Sequence, residues 1–363
     1  MALGCMPTFV APMHIKITGT GSAHPAQEKS NEAFLEHDFY DLTGAPIAAN
    51  NKEIINKFQA ITGIAKRRYV SPEESSADIA TEAGQKAIED AQIDPETLDY
   101  VIVAHNVGDI AIESNQVNTL PCLAAKVKAG LQIANPNCVA YDLIFGCPGW
   151  IEGMIQAQAF IKAGMAQRCL VIGTETLSRV LDPNDRDSMI YADGAGAAVI
   201  EKSNTSGGIL AHKTVTYTHQ GESDYIFYGT SNKGGGKTKY IKMFGRKVYE
   251  FALSHVPQAM AQTLDKAQIS IDQVKKIFIH QANEKMDEAI VNRFYRIYKE
   301  KMPENILPMN IEAYGNSSVA TVPTLFDLVR KTNYKGHQVA PGNIVLFASV
   351  GAGMNINAVV YQI

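Results

Sequence analysis

Tryptophan occurs once in this 363-residue chain, as Trp150, and cysteine five times. The cysteines are Cys5, Cys122, Cys138, Cys147 and Cys169. No pair has the close spacing of a zinc site, and they form no dense framework of the kind that staples small secreted domains. A metal-free protein from a reducing compartment is therefore expected. An excess of one charge is also missing. Lys and Arg total 33 against 37 Asp and Glu, a net charge of -4, which gives no global pull toward nucleic acid or an anionic membrane. No apolar run reaches the roughly 18 residues of a membrane span. The opening "MALGCMPTFVAP" contains Leu-Gly-Cys, as lipoprotein cleavage sites do. Only two residues precede Leu3, with no basic start and no apolar stretch, so neither a signal peptide nor a lipid anchor is expected. Cytoplasmic localisation is the expectation.

What is present is an ordinary globular composition, 46% hydrophobic and 19% charged, in a chain long enough for a large core. The chain also reads as written twice. "AQIDPETLDYVIVAHN" (91–106) and "AQISIDQVKKIFIHQA" (267–282) both leave a helix end at Ala-Gln-Ile and cross a polar turn. Both then enter a flat apolar strand, Val101–Val103 in one and Ile277–Ile279 in the other. Such runs suit strands buried on both faces. "RCLVIGTETL" followed by "YADGAGAAVI" has a counterpart in "NIVLFASVGAGMNINAVVY", with Gly351-Ala352-Gly353 at the turn. Two copies of one α/β unit are expected, an N-terminal half over 1–205 and a C-terminal half over 206–363.

Sites in such layers form where strand ends and helix starts of different units converge. Cys147, His280 and Asn316 all lie at such points. In "YDLIFGCPGW" an apolar run ends at Gly146, and a helix follows the proline. Pro148 suits a first helical position. The thiol then stands at the helix start, where the positive end of the dipole lowers a thiol pKa. His280 ends a strand and opens "HQAN". Asn316, in "YGNSS", opens a helix, where a cap is its plainer reading. Cys5, Cys122, Cys138 and Cys169 lack such a turn and read as structural. "SNKGGGKTKY" (231–240) ends Gly-Lys-Thr like a phosphate-binding loop, but Ser231 replaces the first glycine and no strand leads directly into it.

These stretches together resemble the β-ketoacyl-acyl-carrier-protein synthase III family of the thiolase superfamily. "CPGW" matches its nucleophile turn, "HQAN" its histidine motif and "YGNSSVATVP" its asparagine motif. "SRVLDPNDRDSMIYADGAGAAVI" and "ITGIAKRRYVSPEESSADIATEAGQKAIEDAQI" match further long stretches. The resemblance implies an α/β thiolase-like fold, two duplicated halves in αβαβα layers. It implies Cys147 as the acylated nucleophile and His280 with Asn316 as donors to an enolate oxygen. The Cys147 N–H and the Gly351–Gly353 loop would hold the second oxyanion. Arg186, Asn283 and Lys285 match contacts to the substrate's arm. No cofactor is implied, the substrates being acyl-ACP or acyl-CoA thioesters.

The sequence departs from the family where a tryptophan and an arginine usually sandwich the adenine of coenzyme A. Lys57 and Ile61 stand there, which favours delivery by an acyl carrier protein. Lys57, Lys66, Arg67, Arg68, Arg246, Lys247 and Lys285 are candidate docking charges for that acidic partner. Residues 32–55 include an insertion similar to that of condensing enzymes making dialkylresorcinols, and Asn355 and Asn357 replace an often aromatic, glycine-rich stretch. A dialkylresorcinol synthase is thus the alternative product class. Acyl transfer from Cys147 to an alcohol or amine is the alternative reaction class, and a non-catalytic partner the third. A homodimer is expected, paired near residues 105–125, with one subunit closing the other's pocket.

Overall fold

The computed structural model describes residues 13–111 and 116–363. The Leu-Gly-Cys stretch with Cys5, and positions 112–115 of the expected pairing segment, lie outside the described residues. Two sheets organise the chain. The first contains β1 (His14–Ala23), β2 (Tyr100–His105), β3 (Val139–Ile144), β4 (Arg168–Thr176) and β5 (Asp193–Ser203), in the order β1-β5-β4-β2-β3. The second contains β6 (Gly208–Thr216), β7 (Val274–Ile279), β8 (Ile344–Gly351) and β9 (Asn355–Gln362), in the order β6-β9-β8-β7. Reading each sheet from its first strand, two antiparallel pairings come first and the rest are parallel, two in the first sheet and one in the second.

Helices fill the layers around these sheets. Helices α2 (Ser76–Ala91) and α3 (Leu123–Gly130) cover the outer face of the first sheet through Ile79, Ala83, Leu123 and Val127. Helices α5 (Gly245–Ala267) and α6 (Glu284–Ile297) cover the second through Val256, Met260, Ile290 and Phe294. Between the sheets lie α4 (Gly149–Lys162) and α7 (Thr321–Lys331). Their Trp150, Met154, Leu325 and Phe326 join Ile102 and Val171 of one sheet to Phe278 and Phe347 of the other in one core. Helix α4 is apolar on nearly every face because it has protein on every side. The fold is the expected thiolase-like αβαβα arrangement.

The repeat extends to backbone detail. Gln92 and Gln268 both close their helices in the left-handed region, at φ 54° and 56°. Each is followed by a short 3-10 turn and then a buried strand. Non-glycine residues adopt that region rarely, so the matched pair marks two equivalent turns.

The remaining segments serve as bracing. Helix α1 (Asn51–Thr62) is capped by Asn50, whose side chain accepts from Glu53 N, and by the left-handed Gly63. Phe34, Phe39, Ile54, Ile55 and Met189 pack beneath the inserted region. Arg67, expected on the surface as a docking charge, is fully buried. It lies on the strand Lys66–Tyr69, whose alternation turns Arg67 inward and leaves Lys66 and Arg68 paired with Glu28 at the surface. Its guanidinium donates to Met189 O, Lys29 O and Asn31 Oδ1 and faces the rings of Phe34 and Phe58. The "SNKGGGKTKY" loop joins two strands of a hairpin, Ile226–Gly229 and Tyr240–Met243, and leads into no helix. Ser231 Oγ and Asn232 N donate to Asp182, and Lys242 pairs with Asp182 and Asp185 in the interior. Breaking such a buried pair typically costs about 3–5 kcal/mol.

Candidate active site

Cys147 lies between β3 and α4, one residue further out than expected. The helix begins at Gly149, and Pro148 occupies the cap. The turn needs Gly146 in the left-handed region at φ 69°, and a side chain there would meet Ala352 O at 2.7 Å. Gly351 approaches from the opposite half. A Cβ on it would lie 2.4 Å from Cys147 N and 2.9 Å from Sγ, so the two turns touch backbone to backbone. The N–H groups of Cys147 itself and of Ala352 face the sulfur and favour its charged form. Ala352 lies within the Gly351–Gly353 loop, the segment expected to carry a donor N–H. Gly353 takes φ 76° to close the turn, and Asn355 Nδ2 donates to Ala352 O at 3.0 Å.

The expected lowering of the thiol pKa does not occur. Burial pushes the Cys147 thiol up to about 11, against the opposing hydrogen bond from Ser318 and the two N–H groups, and the nearby Glu175 carboxyl adds to the rise. Desolvation outweighs the helix terminus here because the sulfur sits between two packed halves. The resting residue is a thiol at neutral pH.

His280 follows β7 and is buried. Its Nδ1 lies 2.7 Å from Thr321 Oγ1, at the first residue of α7. Burial lowers the imidazole pKa to about 4, so the ring is neutral near pH 7. Asn316, also buried, bridges to Tyr191 instead of capping a helix. The helical segment starts only at Ser318. Ser318 N donates to Asn316 Oδ1 at 2.8 Å. This fixes the amide flip and leaves Nδ2 as the free donor.

Ser318 draws the three residues together. Its Oγ donates to Cys147 Sγ at 3.1 Å, and its carbonyl lies 2.8 Å from Thr321 Oγ1. Asn106 Nδ2 donates to Ser318 Oγ at 2.8 Å and also to Glu175. Ser318, Thr321, Asn106 and Glu175 carried no role in the sequence reading. Ser318 and Thr321 stand two and five positions beyond Asn316 in the quoted motif, which was the available signal for them.

The chain matches a family model described as "3-Oxoacyl-[acyl-carrier-protein (ACP)] synthase III" over residues 141–218, and its C-terminal model over residues 264–363. The β-ketoacyl-[acyl-carrier-protein] synthase III of Acaryochloris marina is 30% identical over 358 residues, covering 96% of this chain and 97% of that one. The chain belongs to the β-ketoacyl-ACP synthase III family. The counterpart from Caldanaerobacter subterraneus is 32% identical over 300 residues, covering 81% of this chain and 85% of its own. A solved 3-oxoacyl-[acyl-carrier-protein] synthase III from Aquifex aeolicus superposes with a TM-score of 0.80 at 27% identity, covering 96% of this chain and all of that one. The enzyme is accordingly an acyl-transferring condensing enzyme acting on acyl thioesters. Among its described residues no helix is long and apolar enough to cross a membrane.

The residues expected to hold the substrate's arm lie outside this hydrogen-bonded group. Asn283 caps α6, its Oδ1 accepting from Met286 N at 3.1 Å. Lys285 is exposed in the next turn. Arg186 is exposed and lies 3.6 Å from the Asp187 carboxyl. Trp150 is a core residue, donating to Val171 O.

Proposed function

We propose that this synthase loads an acyl group on Cys147 and condenses it with a second thioester, with His280 and Asn316 as the enolate donors. In the first step Sγ bonds to the acyl carbon as the donor's C–S bond breaks, and the proton of Cys147 leaves on the departing thiol. The Cys147 and Ala352 N–H groups suit the oxyanion of both tetrahedral steps. In the second step a malonyl thioester loses CO2, and the electron pair moves to the α carbon and its thioester oxygen. With the Thr321 hydroxyl donating to Nδ1, the neutral His280 ring carries its proton on Nε2, and that N–H and Nδ2 of Asn316 donate to the oxygen. The α carbon then attacks the acyl carbonyl, and Sγ departs. The observation carrying this reading is that Ser318 links Asn316, whose Oδ1 accepts from its N–H and whose Nδ2 is left to donate, to Cys147, whose Sγ accepts from its hydroxyl. An enolate requires such a donor, and simple transfer to an alcohol or amine does not. Intact-mass analysis after incubation with acyl-CoA and acyl-carrier donors tests it. An acyl adduct confined to Cys147 is the expected result, and an adduct on another residue overturns it.

Delivery by an acyl carrier protein is the favoured route. Lys57 and Ile61 lie one turn apart on the exposed face of α1, and neither offers a flat π surface to an adenine. The docking patch is smaller than the sequence suggested. Arg67 is buried, Lys66 and Arg68 pair with Glu28, and Arg246 pairs with Glu250. Lys57, Lys247 and Lys285 remain for an acidic partner.

A homodimer completes the proposal, with a different joint from the one expected. β2 (100–105) has β4 and β3 on its two sides and offers no free edge. β3 is one of the two terminal strands of the first sheet, β1 being the other, and its Val139 is 48% and Ile144 67% exposed. A terminal strand with exposed apolar side chains invites pairing with a second copy.

A further inference from the structure

Ser318 is the one residue of the site that touches each of the proposed actors. It reaches Cys147 through its hydroxyl, Asn316 through its N–H and, by way of Thr321, His280 through its carbonyl. It makes these contacts from the left-handed region, at φ 50°. A non-glycine residue held there typically costs about 1–3 kcal/mol, and such residues cluster at functional sites. The direction of its hydroxyl proton is also determined. Asn106 Nδ2 can only donate, so Ser318 Oγ accepts from it and is left to donate to sulfur. Asn106 is in turn fixed by Glu175, whose Oε1 accepts from both its Nδ2 and its backbone N–H. Glu175 lies on β4, fully buried.

We propose that Ser318 is a positioning residue for the Cys147 sulfur, donating a hydrogen bond aimed by Asn106 that stabilises the thiolate, while the Glu175 carboxylate behind it opposes the same charge. The proposal rests on Cys147 as the acylated nucleophile. The two ends of the chain act on the thiol with opposite sign. The hydroxyl makes ionisation easier, and the anion makes it harder. Burial raises the Glu175 carboxyl to about 7, with His105 and Asn106 pulling it down and Asp193 pushing it up. Its charge therefore changes near neutrality. The charged and titratable groups around this pair are Tyr191 at Cys147, and His105, Asp193 and Tyr228 at Glu175. Tyr191 and Tyr228 are pushed well above the usual phenol range by burial and stay neutral.

The test is the pH dependence of Cys147 alkylation by iodoacetamide, with the label mapped by peptide mass to separate it from Cys5, Cys122, Cys138 and Cys169. Ser318→Ala removes only the hydroxyl. It should lower alkylation at pH 8 about tenfold and move the midpoint up, as expected for a lost hydrogen bond to a charged acceptor. Glu175→Gln should move the midpoint down and raise alkylation at pH 8. Asn106→Ala should act as Ser318→Ala does, and the double variant should be no slower than Ser318→Ala alone. A purely structural role would lower rates without moving the midpoints in opposite directions. An unchanged midpoint in Ser318→Ala with an unchanged melting temperature overturns the proposal, as does a shift of the same sign in Glu175→Gln. Should Ser318→Ala fold poorly, Ser318→Gly deletes the hydroxyl while relieving the backbone, and the same criteria apply. Acyl loading that persists in Cys147→Ala would instead remove Cys147 as the nucleophile, a result the alkylation midpoints cannot produce.

Discussion

Thr321 holds its hydroxyl 2.7 Å from Nδ1 of His280, and the same hydroxyl lies 2.8 Å from the carbonyl of Ser318. One nitrogen of the ring is thereby occupied at the start of α7, and Nε2 is the nitrogen left for substrate. Thr321→Val keeps the branched shape and deletes this contact. Condensation should fall about tenfold or more, while acyl loading of Cys147 stays within about twofold of wild type. Equal losses in both steps would show that Thr321 serves the fold and not the ring.

His280→Ala and Asn316→Ala should each accept an acyl group and condense it orders of magnitude more slowly. Because both donate to one oxygen, the double variant should lose far less than the product of the single losses. The same ring predicts a pH profile. With its pKa near 4 through burial, His280 stays neutral as pH falls through 6.5. The condensation rate should show no limb there from this residue, and a limb near 6.5 that disappears in His280→Asn would contradict the assignment.

Glu175 gives a linkage prediction with a definite sign. Its carboxyl is raised by burial from 4.5 to about 7 in the folded protein. As pH rises from 4.5 the unfolded chain loses this proton first, so the stability contributed by the protonated form is lost through pH 7. Glu175→Gln has no proton to lose. Its stability relative to wild type should therefore climb by up to about 3 kcal/mol between pH 4.5 and 7.5 and then level off. Urea unfolding of both proteins across that range measures it, and parallel curves would refute the shift.

Gly351→Ala should be severe for a steric reason. The new Cβ would fall 2.4 Å from Cys147 N, a backbone atom with little room to move. Acyl loading should drop at least a hundredfold, and overpacking should cost about 1–3 kcal/mol of stability. A loading assay and a melting curve decide it, and near-wild-type values for both would mean the turns separate more easily than the packing implies.

Carrier delivery predicts a salt effect. Transfer of one acyl group to Cys147 should be faster from a carrier protein than from coenzyme A and should slow as salt rises. Lys57→Glu combined with Lys285→Glu should weaken only the carrier reaction. A salt-independent carrier rate, or an equally fast CoA donor, would return the choice to Arg186 and a nucleotide.

The layers and the two-fold repetition were legible in the sequence because each rests on local pattern, and the three proposed actors through the motifs that resemble the synthase III family. Apolar runs marked β2 and β7, and strand-to-helix turns marked Cys147 and the segment after Asn316. What surrounds them was not legible. The Ser318–Cys147 contact joins residues 171 apart, and the Asn106–Ser318 contact joins residues 212 apart. Local pattern also misjudged two charges. A cysteine at a helix start suggests an acidic thiol, but its environment is decided by the opposite half of the chain. Arg67 in Lys-Arg-Arg reads as surface charge until the strand's alternation turns it inward.

β3 ends at Ile144, three residues before Cys147, and is a terminal strand of the first sheet. An extended peptide matched to residues 139–144 can add to the sheet as a further strand and displace whatever the edge normally pairs with. Such a strand would compete with the proposed pairing of two copies, on a surface whose selectivity is set by strand register and not by acyl chain length.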